Sequence, residues 1–145
     1  MASESLDFPK NPSRADVAAA RVARLATHNP SGLIDLVPIT FALVGDTIVT
    51  AVDHKPKRTT RLQRLENIRQ NPNVTVLVDH YSDDWLQLWW LRARGEGVVV
   101  DDPEPALLQS LVAKYAQYGE HHPSGPAIVI HLTDVVAWTG SPGRG

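Results

Sequence analysis

The residues best suited to chemistry in this chain are cations gathered behind a short apolar strand. In the stretch TAVDHKPKRTTRLQRLENIRQN (50–71), six of the chain's 14 Lys+Arg fall together: Lys55, Lys57, Arg58, Arg61, Arg64 and Arg69. A single acid, Glu66, lies among them, although the whole chain carries 16 Asp+Glu and a formal net charge of -2. The spacing Thr60-x-x-Gln63 is that of a capping box and predicts a helix starting near Thr59 or Thr60. The free backbone N–H groups and positive dipole end of such a helix would face the same region as Lys55 and Lys57. That combination suits a phosphate. A solvated basic helix face is the other reading of the same residues.

A second group is aromatic. YSDDWLQLWW (81–90) holds Trp85, Trp89 and Trp90, three of the four tryptophans. Such rings anchor a core or a subunit interface, or they stack on something flat. Asp79, His80, Asp83 and Asp84 read as a polar loop beside strands more readily than as a cation site. His121 and His122 are adjacent and cannot share one helix face as metal ligands do, so no metal site is expected. Gly95-Glu96-Gly97 lacks the third glycine and the strand-then-helix flanks of a dinucleotide loop. No Walker loop and no Gly-x-Ser-x-Gly elbow occurs. The absence of cysteine excludes disulfides, thiolate chemistry and Cys-ligated metal together.

These groups need a scaffold. At 145 residues with 43% hydrophobic content, one domain with a real core is expected. Residues 1–12, with Pro9 and Pro12, read as a flexible arm, 13–140 as the domain and 141–145 as a flexible tail. The polar N-terminus shows no signal peptide and no run approaches a membrane span, which fits a cytoplasmic protein. Ser13 can cap a short Ala-rich helix with Asp16 in its first turn. VARLAT (22–27) reads as a strand and HNPSG (28–32) as a turn. LIDLVPITFALV (33–44) reads as one strand with Val37, Ile39, Phe41 and Leu43 on one face, Pro38 marking an edge or bulge. Gly45-Asp46 closes a hairpin into 47–53. The basic helix, at about 59–71, turns Leu62, Leu65 and Ile68 inward and ends at Asn71-Pro72.

Further strands follow at 74–80, 91–101 and 127–138. Pro103 and Pro105 introduce a helix with Leu107, Leu108, Leu111, Val112 and Tyr115 at helical spacing. The order β-β-β-α-β-β-α-β predicts antiparallel pairing. The expected fold is mainly β, a barrel with flanking helices, and not a doubly wound parallel sheet.

Taken together, these segments resemble the split-barrel, flavin-reductase-like family that includes pyridoxamine-phosphate oxidases and actinobacterial coenzyme F420 oxidoreductases. The residues that carry the resemblance are VARLAT, LVPITFALVGDTIVTAVD, the DHKPKRTTRL turn and helix, NPNVTVLVD, and DDWLQLWW ahead of the glycine-containing strand. It spans roughly 13 to 140 and is nearest the F420-dependent branch, where a Lys/Arg-x-Lys step follows the same strand. The resemblance implies a split β-barrel of the FMN-binding-protein kind and a homodimer with the cofactor groove at its interface. Lys55 and Lys57 would then hold the cofactor's phosphate. Thr50, Ala51 and Val52 would be the strand edge lining the groove. Val37, Pro38, Ile39 and Thr40 would form the neighbouring strand whose backbone approaches the isoalloxazine-like ring, and Trp85 joins the expected cofactor-binding set.

Arg58, Arg61 and Arg64 could face the acidic oligoglutamate tail of F420. FMN has no such tail, so the excess of cations favours F420, with FMN the alternative. The implied activity is hydride transfer between the deazaflavin and a small organic substrate, the protein supplying orientation and electrostatics. His54, Asp79 and Tyr81 are the candidate proton donors. An FMN oxidase or reductase of the same fold and a non-catalytic F420 carrier are the rival readings. A third is a module for nucleic acid or another anionic partner, although neither nucleic acid nor membrane is the expected partner.

Overall fold

A computed structural model describes residues 6–52, 59–123 and 125–141, without the side chains of 59–62. Seven strands form a sheet: β1 (Ala23–His28), β2 (Ile34–Ile39), β3 (Ala42–Val44), β4 (Thr47–Ala51), β5 (Asn73–His80), β6 (Trp89–Val100) and β7 (Ala127–Thr139). The helices are α1 (Arg14–Ala19), α2 (Thr59–Gln70), α3 (Pro105–Lys114) and α4 (Ala116–Glu120), with one 3-10 turn at Trp85–Gln87. Every pairing is antiparallel, in the order β2-β1-β5-β6-β7-β4-β3.

That order corrects one expectation. Residues 33–44 do not form one strand but two, and these lie at opposite edges of the sheet with only Thr40 and Phe41 between them. A two-residue link cannot span an open seven-stranded sheet, since each strand step is about 4.8 Å. The sheet therefore curls until its edges meet. The expected alternation survives the break: Ile39 and Phe41 are buried, and Val37 and Leu43 pack against the same core. Pro38 sits on an edge strand, where its missing N–H deprives no ladder.

Local chemistry sets the turns. Ser13 and Asp16 form a reciprocal capping box at α1. Gly45 has φ +60° in the two-residue turn between Val44 and Thr47, the conformation of a II′ hairpin. Residues 6–12 run along the sheet, with Leu6 and Phe8 against the core and the Leu6 N–H donating to Asp46 Oδ2 at 2.7 Å. The Arg14 guanidinium lies 4.1 Å above the Phe8 ring and bonds the same aspartate at 2.7 Å.

Inside the curl, Leu25, Phe41, Ile48, Val76, Leu91, Ile128 and Ile130 form the core, joined by Leu65 and Ile68 of α2. Each such buried side chain contributes about 1.5–3 kcal/mol. A second cluster, Val49, Ala51, Leu111, Ala127 and Val129, seats α3 on the outside of β4 and β7. The glycines of β6 serve packing. Gly95 stands at a register shift between β6 and β7, where a Cβ would lie 2.5 Å from the His131 carbonyl oxygen, and Gly97 lies under Ile68. Among the described residues no helix is long and apolar enough to cross a membrane.

Candidate functional site

Of the residues singled out above, those of β2 and β4 lie along the seam of the curled sheet. β2 pairs with β1 alone, so its second backbone edge is free of strand partners among the described residues. On the other side, β3 pairs with β4 only as far as Ala42↔Val49. Beyond it, Thr50 and Ala51 are paired on the β7 side, and the Val52 N–H donates to the Pro126 carbonyl. Strand alternation then aims the N–H and C=O of Ala51 away from β7, toward the seam. The seam is thus walled by two backbone edges.

The side chains here are largely spoken for. Thr50 is 1% exposed, and Ala51 and Val52 are buried on opposite faces of the strand. Ile39 is buried and Val37 half-buried against the core, while Pro38 is exposed. The Thr40 hydroxyl bonds the Tyr118 hydroxyl at 2.9 Å. What these residues offer a ligand is backbone. Lys55, Lys57 and Arg58, with His54, lie outside the described residues, as does the side chain of Arg61. Arg64 is half-buried on α2, whose first residue, Thr59, follows that segment directly.

Trp85 lies at the other end of β7 from Ala51. Ala127 of β7 pairs with Ala51, whereas Thr139, at the far end of β7, pairs with Trp89. Twelve residues of strand separate the two ends, roughly 40 Å along the chain. There Trp85 is 67% exposed on a turn capped by Asp84. Of the candidate proton donors, Asp79 bonds Arg24 at 3.3 Å and Tyr81 is 67% exposed.

Two polar clusters escaped the sequence reading. Asn67 is fully buried in α2; its Nδ2 donates to Thr27 Oγ1 at 2.9 Å and Asp35 Oδ2 at 2.8 Å, and its Oδ1 accepts from Gln63 Nε2 at 2.7 Å. This ties α2 to β1 and β2. Hydrogen bonds from Asn29 and Asn67 hold the Asp35 carboxyl below its ordinary value. The signal was an amide inside the apolar stripe Leu65–Ile68.

The second cluster grips the link between β2 and β3. Lys114 Nζ donates to the Phe41 carbonyl at 2.9 Å and lies 3.9 Å from the centre of its ring. Tyr115 Oη accepts from the Phe41 N–H at 3.1 Å and donates to the Arg21 carbonyl at 2.9 Å. Burial, then the neighbouring Arg21 guanidinium, lowers Lys114 to about 8. Between about pH 8 and the ordinary lysine value near 10.5, the unfolded chain holds a proton that folded Lys114 lacks, so this contribution to stability rises with pH across that window. Burial raises Tyr115, which opposes the rise only above its ordinary value of 10.0. Lys114→Met should flatten the increase, as read from denaturation midpoints at about pH 7.5 and about pH 9.5.

A mainly β fold whose antiparallel sheet curls into a half-barrel, split along one seam and flanked by helices, is the split barrel of pyridoxamine-phosphate-oxidase-like proteins. A family model described as pyridoxamine 5'-phosphate oxidase matches residues 13–139, and the chain belongs to that family. No curated protein matches it. Among solved structures it is similar to a conserved hypothetical protein of Mycobacterium tuberculosis, with TM-score 0.71 and 18% identity over 97% of this chain and 89% of the other. It is also similar to an F420 reductase, with TM-score 0.62 and 22% identity over 83% of this chain and 94% of the other. A heme binding protein of Mycobacterium smegmatis gives TM-score 0.67 and 18% identity over 88% of this chain and 52% of the other. At these identities the likeness is one of fold.

Proposed function

We propose that this member of an oxidoreductase family binds coenzyme F420 at the seam and transfers a hydride between it and a small organic substrate, working as a homodimer. The observation that carries this reading is the run of six cations that follows β4 directly in the sequence and continues into α2. Lys55 and Lys57, ahead of the N-terminus of α2, would hold the phosphate. The free edges at Ala51 and along β2 fit the polar rim of a planar ring, and Pro38 offers its exposed face. Arg58, Arg61 and Arg64 would meet the acidic tail. Bound F420 would supply the hydride, and the protein's part is to fix ring and substrate at reacting distance and to keep water away. The F420 reductase among the similar folds supports the choice of cofactor.

The homodimer is supported by the outer face of β2 and its neighbours. Leu33, Ile34 and Leu36 are 67%, 59% and 65% exposed there, apolar side chains that a second copy would cover. Trp85, at the other end of β7 from Ala51, would then serve the partner's seam. Light scattering at micromolar concentration should give twice the chain mass; a monomer sinks both the dimer and the shared site.

Absorbance titrations with F420 and with FMN separate the deazaflavin reading from a flavoprotein of the same fold. Turnover of reduced F420 separates enzyme from carrier. The outer arginines discriminate further. Exposed ion pairs are worth about 0.2–1 kcal/mol each and are screened by salt. Replacing Arg58, Arg61 and Arg64 with Gln should therefore weaken F420 by roughly tenfold and flatten its salt dependence, leaving FMN unchanged. A mutant that keeps the wild-type salt slope would return these arginines to a solvated helix face.

A further inference from the structure

The link Thr40-Phe41 carries the chain from one edge of the curled sheet to the other, and neither residue belongs to a strand. Phe41 is fully buried, so its N–H and C=O must find partners inside the protein. Both partners come from one helix end. Tyr115 Oη accepts from the N–H at 3.1 Å, and Lys114 Nζ donates to the carbonyl at 2.9 Å. Tyr118, in α4, bonds the Thr40 hydroxyl at 2.9 Å. Tyr115 Oη also donates to the carbonyl of Arg21, two residues ahead of β1, and Arg21 returns a bond to the Lys114 carbonyl at 3.0 Å. The end of β2, the approach to β1 and the corner between α3 and α4 are thus held at one point.

Lys114 is enclosed there with no acid to balance it. Its ammonium lies 3.9 Å from the centre of the Phe41 ring and 5.2 Å from that of Tyr115. Arg21 and Tyr115 are its charged or titratable neighbours, and α4 adds Tyr118 and Glu120. The strands under α3 bring none, since β3, β4 and residues 127–130 of β7 are free of such groups. No described carboxylate pairs with Lys114.

We propose that Lys114, Tyr115 and Tyr118 are positioning residues for the seam: they clamp the Thr40-Phe41 link, so fixing the β2 edge, and the clamp opens by taking up a proton at Lys114. The effect on ligand binding rests on the seam being the cofactor site; the clamp itself does not. In the cluster Lys114 sheds its proton above about pH 8, whereas a lysine released to water keeps it to about 10.5. Opening must then recover the proton, so it is resisted more strongly as pH rises. Between pH 7 and pH 9 the opening constant of the link should fall about tenfold.

Hydrogen exchange of the full chain tests this, read as protection factors so that the intrinsic pH dependence of exchange drops out. The Phe41 amide should exchange through an opening of its own, less protected than Val76 and Leu91 at the centre of the sheet. Its protection should rise about tenfold from pH 7 to pH 9, and Lys114→Met should remove that rise. Tyr115→Phe should lower Phe41 protection while Val76 and Leu91 keep theirs, and should weaken F420 several-fold in an absorbance titration. If that variant does not fold, Tyr118→Phe, which removes only the bond to Thr40, carries both readouts. Phe41 protection equal to that of Val76, a pH rise that persists in Lys114→Met, or unchanged F420 affinity in a variant whose link has opened would each overturn the proposal. Exchange needs no cofactor, so a wild type that fails to bind F420 would sink the assignment of the seam and leave the clamp to be decided by exchange.

Discussion

Replacing Lys55 and Lys57 together with alanine is expected to weaken F420 binding by about 3–6 kcal/mol, because each charge-assisted hydrogen bond to a phosphate is worth about 1.5–3 kcal/mol. That is a loss of at least roughly a hundredfold in the dissociation constant. The size of the effect follows from where the lysines stand. They precede α2, whose N-terminal N–H groups and dipole already favour an anion but are worth less than a full charge. Removing the side chains should leave a weak residual site and a folded protein, since the core is built by other segments. The check is an absorbance or fluorescence titration of wild type and double mutant with F420, alongside thermal melts. An unchanged dissociation constant in a folded double mutant would remove the phosphate site and, with it, the strongest reason for placing a cofactor at the seam.

Asn67→Leu should be the most damaging single change to the scaffold behind that site, costing about 3 kcal/mol. Leucine removes two donated bonds and one accepted bond at once. It leaves the Thr27 hydroxyl, 3% exposed, without that donor, and Asp35 with Asn29 as its remaining amide donor. A buried polar group deprived of its partner costs about 1–3 kcal/mol, more than the bond contributes when made. For a chain of this size the melting temperature should fall by roughly 10 °C. Asp35 adds a pH signature. Its lowered carboxyl contributes stability that is present above its unfolded value of 3.8 and lost as pH falls through the folded one, and the variant should show less of that acid sensitivity. A variant that melts within a degree or two of wild type would mean that apolar packing by Leu65 and Ile68 alone seats α2.

The two predictions rest on different kinds of information. The cation cluster was legible in the residues themselves, because charge is local and needs no partner to be counted. The same holds for the elements. Alternation at 74–80, the stripe of Leu65 and Ile68 with its stop at Asn71-Pro72, and the glycine turn at Gly45 each record a preference that a few neighbouring residues decide. Helix α2 accordingly lies at Thr59–Gln70, against an expected 59–71. Neither Asn67 nor Lys114 could be read in this way. An amide in an apolar stripe signals that a partner exists, yet Thr27 and Asp35 are 40 and 32 residues away. Lys114 was one basic residue in the last turn of a helix until the fold set its ammonium against the ring and carbonyl of Phe41.

The break at Thr40-Phe41 marks the boundary between the two. By itself the sequence determined which side chains of 33–44 face inward, since a strand turns every second residue to the same side and Ile39 and Phe41 keep that rhythm through the link. It left open that the chain changes edges there, because the inward face is the same whether the strand continues or the sheet closes on itself. Only the tertiary structure decided that. Closure depends on β7 pairing with both β6 and β4, and on Lys114 and Tyr115 holding the Phe41 backbone from more than 70 residues away. These long-range contacts create the seam between the backbone edges of β2 and β4.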